Sequence, residues 1–331
     1  MKTLAVDGLL GRHILQLSDL GLAEIRAVLD LAGAMKRDYP SWRSTLAQRS
    51  AVLLFEKPSL RTRVSFEIGL AKLGGIAVYL DHQNSPIGER ETTEDYGHNL
   101  ERWADMIVAR VNDHATLVRL ARCCRAPVIN ALSDVAHPCQ ILADAMTLEE
   151  HGVRLDSMRI AFVGDGNNVC HSLMELAAIA GGSIVVVTPV GYNPRSDVVE
   201  RCQRLAAVSG ATIELAHDIS AVRGADAIYT DAWISMGQSR GQLRDGAKLT
   251  AMSALQVNAS IMKLAEPNAL FMHCLPAHRG EEVTDDVIDG PNSVVFDQAE
   301  NRMHVQNALV TLVLGAAPSA EGSEVRGQGS G

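Results

Sequence analysis

Aromatic side chains make up only 4% of the sequence, so its core has to be filled mainly by Ala, Val, Leu and Ile. That usage suits buried parallel strands lying between helices. No run of Lys or Arg is long enough to track a nucleic-acid backbone or an anionic membrane, and the formal charge is -9, so any anion site must be local. The apolar start from Met1 to Asp19 is broken by Asp7 and Arg12, which spoils both a signal-peptide core and a membrane span, and no later stretch approaches spanning length. The six cysteines, Cys123, Cys124, Cys139, Cys170, Cys202 and Cys274, lack C-x-x-C spacing and secretory context. Free thiols in a reducing compartment, the cytoplasm, are the expectation.

What is present is alternation. Ser18 and Asp19 are placed to cap a helix in which Ile25, Val28, Leu29 and Ala32 share one face. Short apolar runs at 51–55, 76–80, 105–110 and 127–131 read as strands, and a second series follows at 159–163, 183–188, 212–215, 225–230 and 269–273. Helical patterns separate them. The reading is an α/β protein of two doubly wound domains, each a mainly parallel sheet with helices on both faces. At 331 residues the chain suits two such domains, with an active site expected in the cleft between them. The expected boundaries are 1–150 and 151–298, with a C-terminal helix over 299–315 packing back on the first domain and a disordered tail over 316–331.

The polar outliers fall where strands end. After Phe55 come Ser59, Leu60, Arg61, Thr62 and Arg63, then a helix with Phe66, Leu70 and Leu73 on one face. Unbonded amides, hydroxyls and guanidinium groups at a helix N-terminus form an anion cradle, although a capped surface helix with solvated arginines has the same residues. Arg110 closes another strand, and the 127–131 strand leads into His137, Pro138, Cys139 and Gln140. A histidine by itself is as a rule a structural hydrogen-bonder. In the second half, Val163 runs into Gly164-Asp165-Gly166-Asn167-Asn168, a partial dinucleotide fingerprint whose third glycine is replaced by Val169; the next strand ends at Thr188-Pro189 with no carboxylate for a ribose. A nicotinamide cofactor is therefore discounted.

Taken in order, SLRTR at Ser59–Arg63, HPCQ at His137–Gln140, SMG at Ser235–Gly237, HCLP at His273–Pro276 and FDQAENR at Phe296–Arg302 resemble the carbamoyltransferase family, its ornithine branch most closely. The resemblance runs from about Leu15 to Leu314. It implies transfer of the carbamoyl group of carbamoyl phosphate to the δ-amine of ornithine, giving citrulline, with arginine biosynthesis the expected context. The family's other acceptors include putrescine, aspartate and N-acetylornithine, and a non-catalytic ligand-binding paralogue is the remaining rival.

By the same resemblance, Ser59, Arg61, Thr62 and the Leu60 amide would hold the phosphate, and Arg110, His137 and Gln140 the carbamoyl end, with Cys274, Leu275 and Arg302 closing over it. Donors at the developing oxyanion are worth roughly 3 kcal/mol each in a dry site, and Arg110 and His137 are the candidates. Ornithine would meet Asn168, Asp231, Ser235 and Met236. Its amine must react as the free base, and Cys274 is the nearest candidate to take the proton, though the same residue could be a small core filler. No metal or organic cofactor is implied; the scattered histidines lack ligand spacing. The family habit of forming trimers sets the expected assembly. Pro86 stands where the family often has a Gln or His reaching a neighbouring subunit, and proline offers no donor there.

Overall fold

Among the described residues nine strands form, each within a residue or two of its expected position: β1 Ser50–Phe55, β2 Ile76–Asp81, β3 Met106–Arg110, β4 Val128–Leu132, β5 Arg159–Val163, β6 Ser183–Val187, β7 Thr212–Ala216, β8 Ala227–Thr230 and β9 Leu270–His273. They are seen in a computed structural model that describes residues 8–234 and 243–316. Ser235 and Met236, expected on the ornithine side, and most of the expected disordered tail, 317–331, lie outside the described residues.

The strands make two all-parallel sheets, ordered β2-β1-β3-β4 and β7-β6-β5-β8-β9. Central strands read as continuous buried apolar runs, as in SAVLLF and MIVAR, because both faces are covered, whereas the edge strands β2 and β7 keep exposed positions. Each sheet belongs to its own compact unit. One comprises residues 8–15, 23–132 and 302–316, and the other residues 16–22, 133–234 and 243–301.

In the first unit Val52, Leu54, Ile107, Ala109 and Val128 pack with Leu117 and Leu120 of the helix His114–Cys123. In the second, Ala161, Val163, Val185, Val187, Ile228 and Phe271 form the corresponding layer. Fully burying a Val, Leu or Ile side chain contributes about 1.5–3 kcal/mol, so these layers fix the sheets and hold the strand ends in place.

The expected first helix is present as Leu22–Arg37 with Ile25, Val28, Leu29 and Ala32 buried, but its cap differs. Leu17–Asp19 is instead a separate 3-10 turn, and the Ser18 hydroxyl donates to Glu175 at 2.9 Å. A buried carboxylate outcompetes an orphan helix amide for that hydroxyl. The last helix starts earlier than expected, running Val295–Val313.

Both sheets have a point where chain order reverses, between β1 and β3 in one and between β5 and β8 in the other. Crevices open beyond the carboxyl ends of the strands at such points. There Phe55 pairs with Arg110 and Val163 with Thr230, which sets the Ser59 loop beside Arg110 and the Gly164 turn beside Asp231.

Candidate active site

In the first unit Ser59 caps the helix Leu60–Lys72, its Oγ accepting from the Thr62 amide at 3.2 Å. The first-turn N–H groups of that helix have no intrahelical acceptor. Thr62 is buried, and its Oγ1 accepts from two guanidinium groups: Arg110 Nη1 at 3.4 Å and Arg302 Nη2 at 3.2 Å. Arg110 and Arg302 are only 2% and 3% exposed, so two cations are held in a poorly hydrated place around one hydroxyl. Repulsion between them is relieved best by a polyanion, and Arg binds phosphate oxygens in bidentate fashion. Arg61 is half-buried at the same helix start. Arg63 does not join the cradle. It pairs with Glu67 at 3.1 Å and lies 3.8 Å from the Tyr79 ring, because about half a helical turn from Arg61 carries it round to the exposed side.

Two residues that were not anticipated support this cluster. Gln306, with its amide oxygen toward Arg302, accepts from Nε at 3.2 Å and Nη2 at 3.1 Å while its nitrogen donates to Ser65 Oγ at 2.7 Å. Buried Glu56 accepts from the Ile87 amide at 3.0 Å and the Asn112 amide at 2.7 Å, tying the loop that carries Pro86 to the end of β3.

In the second unit His137 precedes the helix Pro138–Glu150 and donates its amide to Ser172 Oγ at 2.9 Å. Gln140 is buried and donates its Nε2 to Asp144 Oδ1 at 2.9 Å. That bond fixes the amide's orientation and sets Oε1 as the end able to accept from an NH2 group. The same Asp144 oxygen accepts from Gln298 at 2.8 Å, and Gln298 in turn accepts from the His273 amide at 3.0 Å. One buried carboxylate thus links HPCQ to HCLP.

Asp231 follows β8 and accepts from Asn167 Nδ2 at 2.7 Å, the Ala232 amide at 2.8 Å and Cys274 Sγ at 3.0 Å. Asn167 also caps the helix Asn168–Ala180. Asn168 itself donates to the Ser133 carbonyl at 2.5 Å. Leu275 is a non-glycine with φ 57, an uncommon conformation that recurs at functional sites, and its amide donates to His273 Nδ1 at 2.8 Å. His273 Nε2 stands 3.1 Å from Glu282 Oε1. Asp231, His273 and Cys274 offer ligand atoms within 4.8 Å of one another, but both imidazole nitrogens already serve an amide and a carboxylate, so metal ligation there would break one of those bonds.

Burial shapes the electrostatics behind this rim. It pushes the Asp165 carboxyl up, against the attraction of Lys248 at 2.6 Å, and the nearby Asp231 adds to the rise. Burial pushes the His171 imidazole down, against the Nδ1–H bond to the Val135 carbonyl at 2.9 Å, and Nε2 accepts the Arg195 amide at 3.1 Å.

Ser59, Thr62, Arg110 and Arg302 are therefore brought together in one unit, and Asp231, Cys274 and Leu275 in the other. Asn167 was missed although D-G-N-N before a helix is a capping signal. Gln306 and Asp144 gave little local signal beyond their spacing of four from Arg302 and Gln140, and Gln298 lies within the FDQAENR string without standing out from it.

The family model described as "Aspartate/ornithine carbamoyltransferase, carbamoyl-P binding domain" matches residues 12–150, and "Aspartate/ornithine carbamoyltransferase, Asp/Orn binding domain" matches residues 156–313. The ornithine carbamoyltransferase of Shewanella oneidensis is 49% identical over 304 residues, 91% of this chain and 99% of that protein. The anabolic ornithine carbamoyltransferase of Pyrococcus furiosus is 47% identical over 313 residues, covering 94% and 98%. The solved structure of the ornithine carbamoyltransferase from Pyrococcus furiosus is similar at a TM-score of 0.87, with 93% of this chain and 98% of that one covered.

Proposed function

The chain belongs to the aspartate/ornithine carbamoyltransferase family, and on that premise we propose that it transfers the carbamoyl group of carbamoyl phosphate to the δ-amine of L-ornithine, giving L-citrulline and phosphate. Arginine biosynthesis is the matching context, since one similar protein carries the anabolic designation.

The observation that carries the reading is the pair of buried guanidinium groups sharing Thr62 at the start of a helix. Ser59, Arg61, Thr62, Arg302 and the Leu60 amide take the phosphate. Arg110, His137 and Gln140 take the carbamoyl group, Gln140 accepting from its NH2. Cys274 and Leu275 complete the contacts. The neutral δ-amine attacks the carbonyl carbon, and charge builds on the carbonyl oxygen facing Arg110 and His137. The C–O bond to phosphate then breaks with its electron pair leaving on the phosphate oxygen, and the departing phosphate takes the proton shed by the newly bonded nitrogen. Asp231, with Asn168, Ser235 and Met236, receives the amino-acid end of ornithine, because an acid is the natural partner of the α-ammonium and would repel an acceptor bearing a carboxylate in its place.

We assign the working form as a homotrimer or a trimer-based assembly. Leu60, Val64 and Ile68 make an exposed apolar row at fourfold spacing on one helix, and Ile76 and Val78 expose more apolar surface on the edge strand β2. Such a face on an edge favours burial against another copy. No helix among the described residues is long and apolar enough to cross a membrane, in keeping with a cytoplasmic site of action.

The test is citrulline formation from carbamoyl phosphate and ornithine, with putrescine as the competing acceptor. Turnover of putrescine without citrulline production from ornithine would overturn the assignment.

A further inference from the structure

Just beyond the cis Leu275–Pro276 bond the chain makes a tight turn at Gly280, where φ is 83, closed by the Gly280 amide donating to the Val283 carbonyl at 2.8 Å. The turn brings His278, Glu281 and Glu282 onto one spot, with ligand atoms from all three within 4.8 Å of one another. Glu282 is fully buried. Its Oε1 is engaged by His273 Nε2 at 3.1 Å and by the His278 amide at 2.6 Å. Its Oε2 is buried, has no hydrogen-bond partner among the described residues, and is aimed at His278 Nδ1, a second buried and unpartnered atom, at 3.7 Å. A Glu281 oxygen stands 3.9 Å from the same nitrogen.

At 3.7 and 3.9 Å these separations lie beyond hydrogen-bond reach. They are close to those of donors bracketing an ion, since atoms at ~2.1 Å from a tetrahedral zinc lie about 3.4 Å apart. The adjacent cation, Arg279, turns instead to Asp285 at 2.7 Å and Asp289 at 2.6 Å. Leaving a buried carboxylate oxygen unpartnered is costly, and one divalent ion would satisfy it together with the imidazole.

We propose that His278 Nδ1, Glu282 Oε2 and the Glu281 carboxylate form a binding site for one first-row divalent cation, Zn2+ or Co2+, with water in the remaining positions. Three protein donors of nitrogen and oxygen type with open positions match the preferences of these ions. The other Glu282 oxygen contacts His273, which holds the Leu275 amide, so the ion would anchor the turn that follows HCLP.

The test is titration of the full-length protein with Co2+, read in the visible spectrum, for the wild type, His278→Ala and Glu281→Gln. These two positions are partly exposed, so both variants should keep the fold, which circular dichroism checks. The expected result is one equivalent of Co2+ with d–d bands and no sulfur-to-cobalt charge transfer, and affinity at least about tenfold weaker in each variant. No uptake by the wild type, unchanged uptake in either variant, or a thiolate charge-transfer band marking Cys274 as the ligand would each overturn the proposal.

Discussion

The Cys274 sulfur donates to Asp231 Oδ1 across 3.0 Å. With Asn167 Nδ2 and the Ala232 amide on the same carboxylate, Asp231 is oriented by three donors. A sulfur that donates holds its proton, so before Cys274 could accept one from the amine it would first have to give up its own to Asp231. In this arrangement the thiol aims the acid.

Asp231→Asn keeps the size and removes the charge. A hydrogen bond to a charged group is worth about 1.5–3 kcal/mol, so KM for ornithine should rise about tenfold to a hundredfold. KM for carbamoyl phosphate should change by no more than about twofold, because the variant's other contacts are kept. Steady-state kinetics with each substrate varied in turn decides it; equal shifts in both constants would remove Asp231 from the ornithine side.

Arg302→Gln leaves Thr62 and Arg110 in place but removes one buried cation. KM for carbamoyl phosphate and the inhibition constant of inorganic phosphate should rise together, by at least about tenfold. Gln306→Leu, which frees the Arg302 guanidinium to wander, should move both in the same direction by less. Phosphate inhibition that stays at the wild-type level in Arg302→Gln would rule this cluster out as the phosphate site.

The pH dependence of stability carries the mark of His171. Burial holds this imidazole neutral in the folded protein, so its folded pKa lies below the unfolded one. As pH falls below about 6.5, the unfolded chain takes up a proton that the folded chain does not, and stability drops until the native ring protonates as well. His171→Gln should flatten that part of the acid limb. Urea midpoints across the acid range provide the measurement, and an identical slope in the variant would count against the assignment.

Glu56→Gln turns one of the two acceptors on this buried side chain into a donor that faces a backbone N–H. The expected loss is about 1–3 kcal/mol, seen as a lower denaturation midpoint at unchanged m-value. A midpoint equal to the wild type's would mean that the Ile87 and Asn112 amides find other acceptors.

Much of this was legible in the sequence where one short segment carries the whole signal. The strands are buried apolar runs, so each showed itself, and SLRTR and HPCQ sit beside the strand ends that aim them. Arg63 was misread because helix rotation separates it from Arg61 by roughly 200°, which a string of letters hides. Ser18 was misread as a cap because its competitor Glu175 lies far along the chain. Asp144 and Gln306 lie one helical turn from Gln140 and Arg302, but their other partners, Gln298 and Ser65, are distant in sequence, so their full roles do not show locally. The His278, Glu281 and Glu282 cluster has no sequence signature, because one histidine with two carboxylates lacks the paired His and Cys spacing of common metal sites.

The Gly164-Asp165-Gly166 turn looks like a place kept bare for a dinucleotide, yet a methyl group on Gly166 would lie 2.3 Å from the Pro194 nitrogen and 2.5 Å from the Asn193 carbonyl carbon. The Gly166 amide is already donated to the Tyr192 carbonyl at 2.9 Å. The polypeptide has moved into the berth that a pyrophosphate would need. A motif often taken as an invitation to a guest is here a seam, closed by the protein on itself.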